Sequence, residues 1–341
     1  MTENERSFRR VMNKIGIAML LFLAIINVSS TVHVLFSSVL GMIFEEETAY
    51  VITELGYCVM YLSSFIAPGL ILMAMLGKDR TPLMFDKKVP RDAAPYILAT
   101  ITVAYAFAYL NSYLVSIFDY SAFSSEYLWG GEPMTNTGVV LSFIGTAMVP
   151  AFCEEFLFRG AILSALKPYG KAPAVIISAV LFGLMHQNAE QLLYTTVAGL
   201  MMGYVVYETG SVWCSVLIHF FNNFISVLES VLIERVEMSC VNYVVSIFEG
   251  VLFLLGIVSI VYLIVKKLKE KSRLPKISDG FFGKDLESLG GDCVKVRLPA
   301  GKITKLFFAP TVIVFIALSG ATVILYLILS LIYKAGGSIP L

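Results

Sequence analysis

The sequence predicts an all-α fold, a polytopic bundle of about nine transmembrane helices. Of the 341 residues, 57% are hydrophobic and 15% are charged, and the mean hydropathy is +0.80. Soluble globular domains contain roughly 45–50% apolar and about 25% charged residues. The apolar excess is too large for one globular core, and it is concentrated in long runs separated by charged loops. These observations together predict an integral, multi-pass membrane protein.

Each element of the bundle is predicted from an apolar run. A helix needs roughly 20 apolar residues to cross about 30 Å of hydrocarbon, and the fifth and sixth runs are shorter than this. The predicted spans are 15–44, 50–76, 95–118, 137–166, 173–186, 191–207, 211–233, 242–265 and 306–333. A basic cluster precedes the first run, which continues to Phe44 and is too long for a cleaved signal peptide. We therefore expect this segment to be a signal anchor.

The distribution of Lys and Arg predicts the orientation. These residues favour cytoplasmic loops. With the N-terminus placed in the cytoplasm, every Lys and Arg except Arg235 and Lys334 falls in a segment predicted to be inside. The predicted outer loops are acidic. We expect a cytoplasmic N-terminus.

The chain divides into three parts. Residues 1–134 hold three spans, residues 135–235 hold nearly all of the polar groups within spans, and residues 236–341 hold two spans around a soluble insert at 266–305. Alternating residues at 294–303 suggest a small β-hairpin in the insert, with a solvated linker as the alternative. The five cysteines form no CxxC motif and are interpreted as small buried hydrophobes.

Ionisable residues within spans are costly and indicate function. On the fourth span, Glu155 and Arg159 are one helical turn apart and can neutralise each other. Glu154 points about 100° away and is left free. On their own, these residues are equally consistent with a structural ion pair. Three further residues are interpreted as isolated: His33, Glu229 and Glu249.

Two later spans carry similar pairs at one-turn spacing. The Phe182 ring can orient the imidazole of His186, and His219 shares a helix face with Asn223. Each pair alone also fits a structural hydrogen bond between helices. Counting about 1.5 Å of rise per residue from the predicted cytoplasmic helix ends puts Glu154 at roughly 18 Å depth, His186 at roughly 20 Å, and the third pair at roughly 12 and 18 Å. This common depth predicts one site.

Such a site can activate water. A carboxylate and an imidazole that share a water molecule can deprotonate it for attack on a carbonyl, while a second histidine and an asparagine hold the developing oxyanion. The alternative is a zinc site formed by Glu154, His186 and His219, because two histidines and a glutamate form a known catalytic zinc set. The sequence contains no HExxH motif.

Three ordered motifs resemble those of the CPBP family, the type II CAAX-prenyl endopeptidases and the bacterial CAAX proteases and bacteriocin-processing enzymes grouped with them. The motifs are Glu154-Glu155-x-x-x-Arg159, Phe182-x-x-x-His186 and His219-x-x-x-Asn223, within residues 145–225. The resemblance implies an intramembrane endopeptidase. It implies that Glu154 and His186 activate the water, that His219 and Asn223 stabilise the oxyanion, and that Glu155 and Arg159 support them.

The resemblance also implies a location and partners. The small architecture resembles the bacterial branch of the family, so we expect a bacterial plasma membrane. We expect a membrane-associated peptide or protein as the substrate, the lipid bilayer as the surroundings, and no nucleic acid. No cofactor is favoured, because an asparagine suits an oxyanion better than a metal, although zinc remains possible. Two other functions stay open: an inactive immunity or scaffold protein, and a proton-coupled transporter. The chain shows no internal repeat of the kind that transporters contain.

The predicted orientation can be tested by chemical labelling. Cysteines introduced near residues 84 and 285 should react only with a reagent that reaches the cytoplasm, and a cysteine near residue 130 should react with an impermeant external reagent. External labelling at 285 would contradict the nine-span arrangement.

Overall fold

The computed structural model describes residues 1–77, 84–118, 135–235, 238–273 and 298–334, which contain helices and no strand. The helices are α1 (Glu3–Ile43), α2 (Glu46–Leu76), α3 (Ala94–Phe118), α4 (Asn136–Tyr169), α5 (Lys171–Met185), α6 (Ala189–Thr209), α7 (Val212–Arg235), α8 (Met238–Arg273), α9 (Ala300–Phe307) and α10 (Pro310–Lys334). The all-α prediction is confirmed.

By the test of length and hydropathy, fewer helices qualify as membrane spans than the nine that the sequence predicts. Among the described residues, six helices are long and apolar enough to cross a membrane, and the bent pair α9–α10 would make seven. Every predicted span corresponds to a helix, but α5 has only 15 residues and α6 does not pass the test. The protein is therefore a multi-pass membrane protein, and the count of nine is not confirmed.

The predicted hairpin is wrong where it can be compared. Residues from Ala300 onward form α9, in which Ile303, Leu306 and Phe307 recur at helical spacing and pack against the core. The first part of the predicted insert, residues 266–273, continues helix α8. The rest of the insert up to residue 297 lies outside the described residues.

Helix α4 occupies the centre of the site region and packs against α2, α5, α6 and α7. It is continuous but contains two π-helical segments, Phe143–Met148 and Phe156–Leu163. A single α-helical segment, Val149–Glu155, lies between them and ends on the two adjacent glutamates. Because π-helical turns are rare and occur frequently at functional sites, this part of α4 is a candidate functional segment.

Glycine allows α5 and α6 to approach closely. A Cβ atom added to Gly183 would lie 1.9 Å from Thr196 Oγ1 and 3.0 Å from the carbonyl oxygen of Leu192. The same kind of contact occurs between α2 and α4, where a Cβ on Gly69 would lie 2.7 Å from the ring of Phe156. At each of these glycines, the backbone of one helix therefore lies directly against a side chain of the neighbouring helix.

The Gly183 contact predicts a stability difference. Gly183→Ala should destabilise the protein, because overpacking typically costs about 1–3 kcal/mol and exceeds the gain of roughly 1 kcal/mol in helix propensity. Gly250→Ala is the matched control, since nothing lies within 4 Å of its added Cβ. In detergent, thermal unfolding should occur at a lower temperature for Gly183→Ala and at an unchanged or higher temperature for Gly250→Ala. Equal unfolding temperatures would show that α5 and α6 are not this close.

Candidate active site

A fully buried ion pair lies at the centre of the site. Arg159 Nη1 donates to Glu155 Oε1 at 2.7 Å, and both side chains are completely inaccessible to solvent. The residues are one turn apart on α4, as the sequence predicts. Glu155 is therefore ion-paired and is not a free carboxylate.

Arg159 also joins α4 to two neighbouring helices. Its Nη2 donates to the carbonyl oxygen of Gly199 on α6 at 3.3 Å. Its guanidinium carbon lies 4.3 Å from the centre of the Phe182 ring on α5, a cation–π contact. The Phe182 ring in turn meets His186 edge-on, with centroids 5.1 Å apart. The arginine thus fixes the relative positions of three helices.

His219 on α7 lies between the two glutamates. Its Nδ1 is 3.1 Å from Glu155 Oε1, and its Nε2 is 3.9 Å from Glu154 Oε2. Because an ionised carboxylate can only accept, Nδ1 must carry a proton. The other ring nitrogen, Nε2, is the atom that faces Glu154.

Glu154 is 3% exposed and its two carboxylate oxygens have different surroundings. Oε1 accepts a hydrogen bond of 2.5 Å from the hydroxyl of Tyr61 on α2. Oε2 is buried and has no hydrogen-bond partner among the residues that the structure describes. A buried polar atom of this kind calls for an explanation such as a catalytic role, and here the unpaired atom is a carboxylate oxygen that faces an imidazole.

His186 is oriented by the backbone of its own helix. Its Nδ1 lies 2.9 Å from the carbonyl oxygen of Phe182. Since a carbonyl oxygen accepts, this contact places the proton on Nδ1 and leaves a lone pair on Nε2. His186 is also close enough to Glu154 and His219 to interact with them electrostatically. Both histidines therefore form hydrogen bonds within the protein through Nδ1, and Nε2 of each ring remains available for contacts in the site.

Asn223 on α7 hydrogen-bonds a backbone carbonyl of α4 that lies close to a proline. Pro150 has no N–H, so it cannot donate to the carbonyl of Thr146, four residues before it. Asn223 Nδ2 donates to that carbonyl oxygen at 2.9 Å, and Asn223 Oδ1 accepts from Asn222 at 3.1 Å. These contacts use one of the two amide hydrogens of Asn223. The second remains available as a donor.

An apolar cavity of about 400 Å³ lies among helices α2, α4 and α7, the same helices that supply Tyr61, Glu154 and His219. Its lining is entirely hydrophobic: Leu62, Met148, Val149, Phe152, Trp213, Val216 and Phe220. Phe152 and Trp213 are each 38% exposed. The cavity is of a size and character that suit an apolar segment.

The residues suit a metal by donor type but not by arrangement. Two Nε2 atoms and one carboxylate oxygen are ligands that zinc accepts. Within the described part of the chain, however, no three His, Cys, Asp or Glu side chains are gathered closely enough to hold a metal ion. The proposed mechanism therefore uses only protein side chains and water.

The sequence reasoning missed Tyr61, which lies on the second predicted span, in the region 1–134 that showed no chemistry. The available signal was a tyrosine pair at one-turn spacing, Tyr57 and Tyr61, in an apolar run. The interpretation of His33, Glu229 and Glu249 as isolated was wrong. Glu249 accepts from the Tyr109 hydroxyl at 2.6 Å and lies close enough to Glu229 to interact with it. The His33 ring lies 5.1 Å from that of Tyr57.

Fold and site define a class: a multi-pass helical membrane protein with a buried carboxylate–histidine site. Residues 136–225 match the family described as "Type II CAAX prenyl endopeptidase Rce1-like". This segment of the chain is therefore similar to that family, as the three motifs indicate. The candidate site residues on α4, α5 and α7 lie inside the matched segment, and Tyr61 lies outside it.

One curated relative is YdiL of Bacillus subtilis (strain 168), described as a candidate membrane peptidase. It is 30% identical over 95 residues, which is 27% of this chain and 38% of YdiL. The chain thus covers less than half the length of that relative. No solved structure matches the chain.

The buried pair predicts how its two members depend on each other. Arg159→Ala should lower the yield of folded protein, because breaking a buried ion pair typically costs about 3–5 kcal/mol. The double substitution Glu155→Gln with Arg159→Gln should restore yield, since no lone charge remains and the glutamine can still accept from His219. The measurement is the amount of monodisperse protein after purification in detergent. Equal yields for wild type and Arg159→Ala would show that the pair is not buried as described.

Proposed function

We propose that this protein is an intramembrane endopeptidase that hydrolyses a membrane-associated peptide or protein through a water molecule activated by Glu154 and His186. The observation that carries the proposal is the Glu154 carboxylate. It is almost fully buried, one oxygen is held by Tyr61, and the other faces His219 and has no hydrogen-bond partner among the described residues. Glu155 also has one such oxygen, but its other oxygen is ion-paired with Arg159.

The first step is the attack of water on the peptide carbonyl carbon. Glu154 Oε2 takes one proton from the water while His186 Nε2 accepts the other hydrogen of the same molecule in a hydrogen bond. The water oxygen then forms a bond to the carbonyl carbon, and the carbonyl π electrons move to oxygen. A carboxylate and an imidazole in general base positions contribute typically 10²–10⁴-fold to such a reaction.

The second step is collapse of the tetrahedral intermediate. Its oxyanion needs donors placed in advance, and the remaining amide hydrogen of Asn223 and a protonated Nε2 of His219 are candidates. Glu154 then returns its proton to the leaving nitrogen as the C–N bond breaks. The products are a new carboxylic acid and a new amine, and Glu154 is again ionised. The acid then transfers its proton, the second hydrogen of the water, to the amine, which gives a carboxylate and an ammonium group.

The substrate class is supported by the surroundings of the site. The apolar cavity shares its helices with the site residues, and the matched family is described as a type II CAAX prenyl endopeptidase family. An apolar segment or chain that lies in the bilayer could enter the cavity without leaving hydrocarbon. Glu155, Arg159 and Phe182 support the reaction by holding His219 and His186 in place.

Replacement of the base tests the proposal. Cells that express the wild type should accumulate membrane-peptide fragments that are absent with Glu154→Gln, as measured by mass spectrometry of isolated membranes. Glutamine cannot accept the proton but fills the same volume, so the variant should accumulate and fold normally. Equal fragments from the two proteins, at equal expression, would refute the proposed function.

Metal dependence has a separate test. We expect cleavage of the Glu154-dependent fragments in detergent to survive strong chelators, and purified protein to contain sub-stoichiometric zinc. The physical reason is that Asn223 and His219 serve as donors, so the oxyanion needs no Lewis acid. Inactivation by chelator that zinc alone reverses would instead make Glu154, His186 and His219 ligands.

A further inference from the structure

We infer that Tyr61 is a positioning residue of this active site, supplied by a helix outside the segment that matches the family. The inference rests on the proposed function. Tyr61 lies on α2, and its hydroxyl donates to Glu154 Oε1 at 2.5 Å. The matched segment begins at residue 136. The N-terminal helices therefore complete the site as well as surrounding it.

The hydroxyl of Tyr61 is the donor of this bond. A phenol loses its proton much less readily than a carboxylic acid, so Glu154 Oε1 is the acceptor. A hydrogen bond donated to a carboxylate favours its ionised form. The bond thus stabilises the state in which Glu154 can act as a base.

The bond also decides which oxygen reacts. Because Tyr61 occupies Oε1, the proton of the attacking water can go to Oε2. This oxygen lies 3.9 Å from His219 Nε2 and has no hydrogen-bond partner among the described residues. Without the hydroxyl, the carboxylate could rotate and present either oxygen in several orientations. Such loss of orientation lowers the fraction of molecules in a reactive geometry.

Aromatic packing and a glycine hold Tyr61 in place. Its ring lies 5.6 Å from that of Tyr57 and 4.9 Å from that of Phe65, one turn away on either side. Two turns further along α2, Gly69 allows the helix to approach Phe156 on α4. The hydroxyl therefore reaches Glu154 from a helix whose rotation and distance are both fixed.

The bond itself is tested without any substrate. Thermal unfolding in detergent of wild type, Tyr61→Phe, Glu154→Ala and the double variant forms a double-mutant cycle. Tyr61→Phe should lower the unfolding temperature of the wild type, because it leaves both oxygens of a buried carboxylate unpaired. In the Glu154→Ala background the same change should have little effect. Additive shifts would show that Tyr61 acts through ring packing alone and would overturn the inference.

The catalytic consequence is tested with a peptide synthesised across one of the Glu154-dependent cuts. Tyr61→Phe should lower kcat about 10- to 100-fold, the size expected for a hydrogen bond to a charged group, with KM nearly unchanged. Tyr57→Phe is the matched control, because it removes a hydroxyl one turn away and leaves the Tyr61–Glu154 bond in place. An unchanged kcat for Tyr61→Phe would overturn the inference and leave the proposed function standing. Failure of the wild type to produce Glu154-dependent fragments would overturn the proposed function itself.

Discussion

The site depends on one interaction, the buried ion pair between Glu155 and Arg159. Removing two charges from water costs several kcal/mol per ion, and only good geometry and further hydrogen bonds compensate for this. Here the compensation comes from other helices: the carbonyl of Gly199 on α6, the Phe182 ring on α5 and the imidazole of His219 on α7. The charges can stay buried because the helices meet around them, and the meeting of the helices places the histidines.

The pair also separates the roles of two adjacent glutamates. Neighbouring helical residues point about 100° apart, so Glu155 turns towards Arg159 while Glu154 turns towards Tyr61 on α2 and Nε2 of His219. One carboxylate is neutralised by an arginine and orients a histidine. The other is held by a tyrosine hydroxyl and faces the second nitrogen of that histidine. Both glutamates end the α-helical segment Val149–Glu155, and Arg159 lies in the π-helical segment Phe156–Leu163 that follows it.

Relations within one helix could be predicted from the sequence, because they follow from residue spacing. The Glu155–Arg159 pair and the contact of the Phe182 ring with His186 are of this kind, and both are present. Contacts between helices depend on packing that spacing does not encode, so Tyr61 was missed. The Asn223–Thr146 bond had a usable signal in Pro150, which cannot donate to the carbonyl four residues before it. Within the described residues, the hairpin predicted at 294–303 is wrong because Pro299 is the N-cap of α9, which begins at Ala300.

The count of nine spans is not confirmed for a related physical reason. Apolar runs predict where helices form, and each run did form one, but α5 is too short and α6 not apolar enough to pass as a span by itself. These two helices pack closely against each other and border α4, so they are stabilised by protein contacts rather than by length in lipid. The same packing brings Phe182, His186 and Gly199 to the ion pair.

The division of labour between the two glutamates is tested most directly by measuring Glu154→Gln and Glu155→Gln side by side, with thermal unfolding and cleavage of the same peptide as readouts. Glu154→Gln should unfold near the wild-type temperature and show no cleavage. Glu155→Gln should unfold at a lower temperature, because Arg159 loses its counter-charge, and should retain measurable cleavage per folded molecule. A stable, inactive Glu155→Gln together with an active Glu154→Gln would contradict the account and make Glu155 the base.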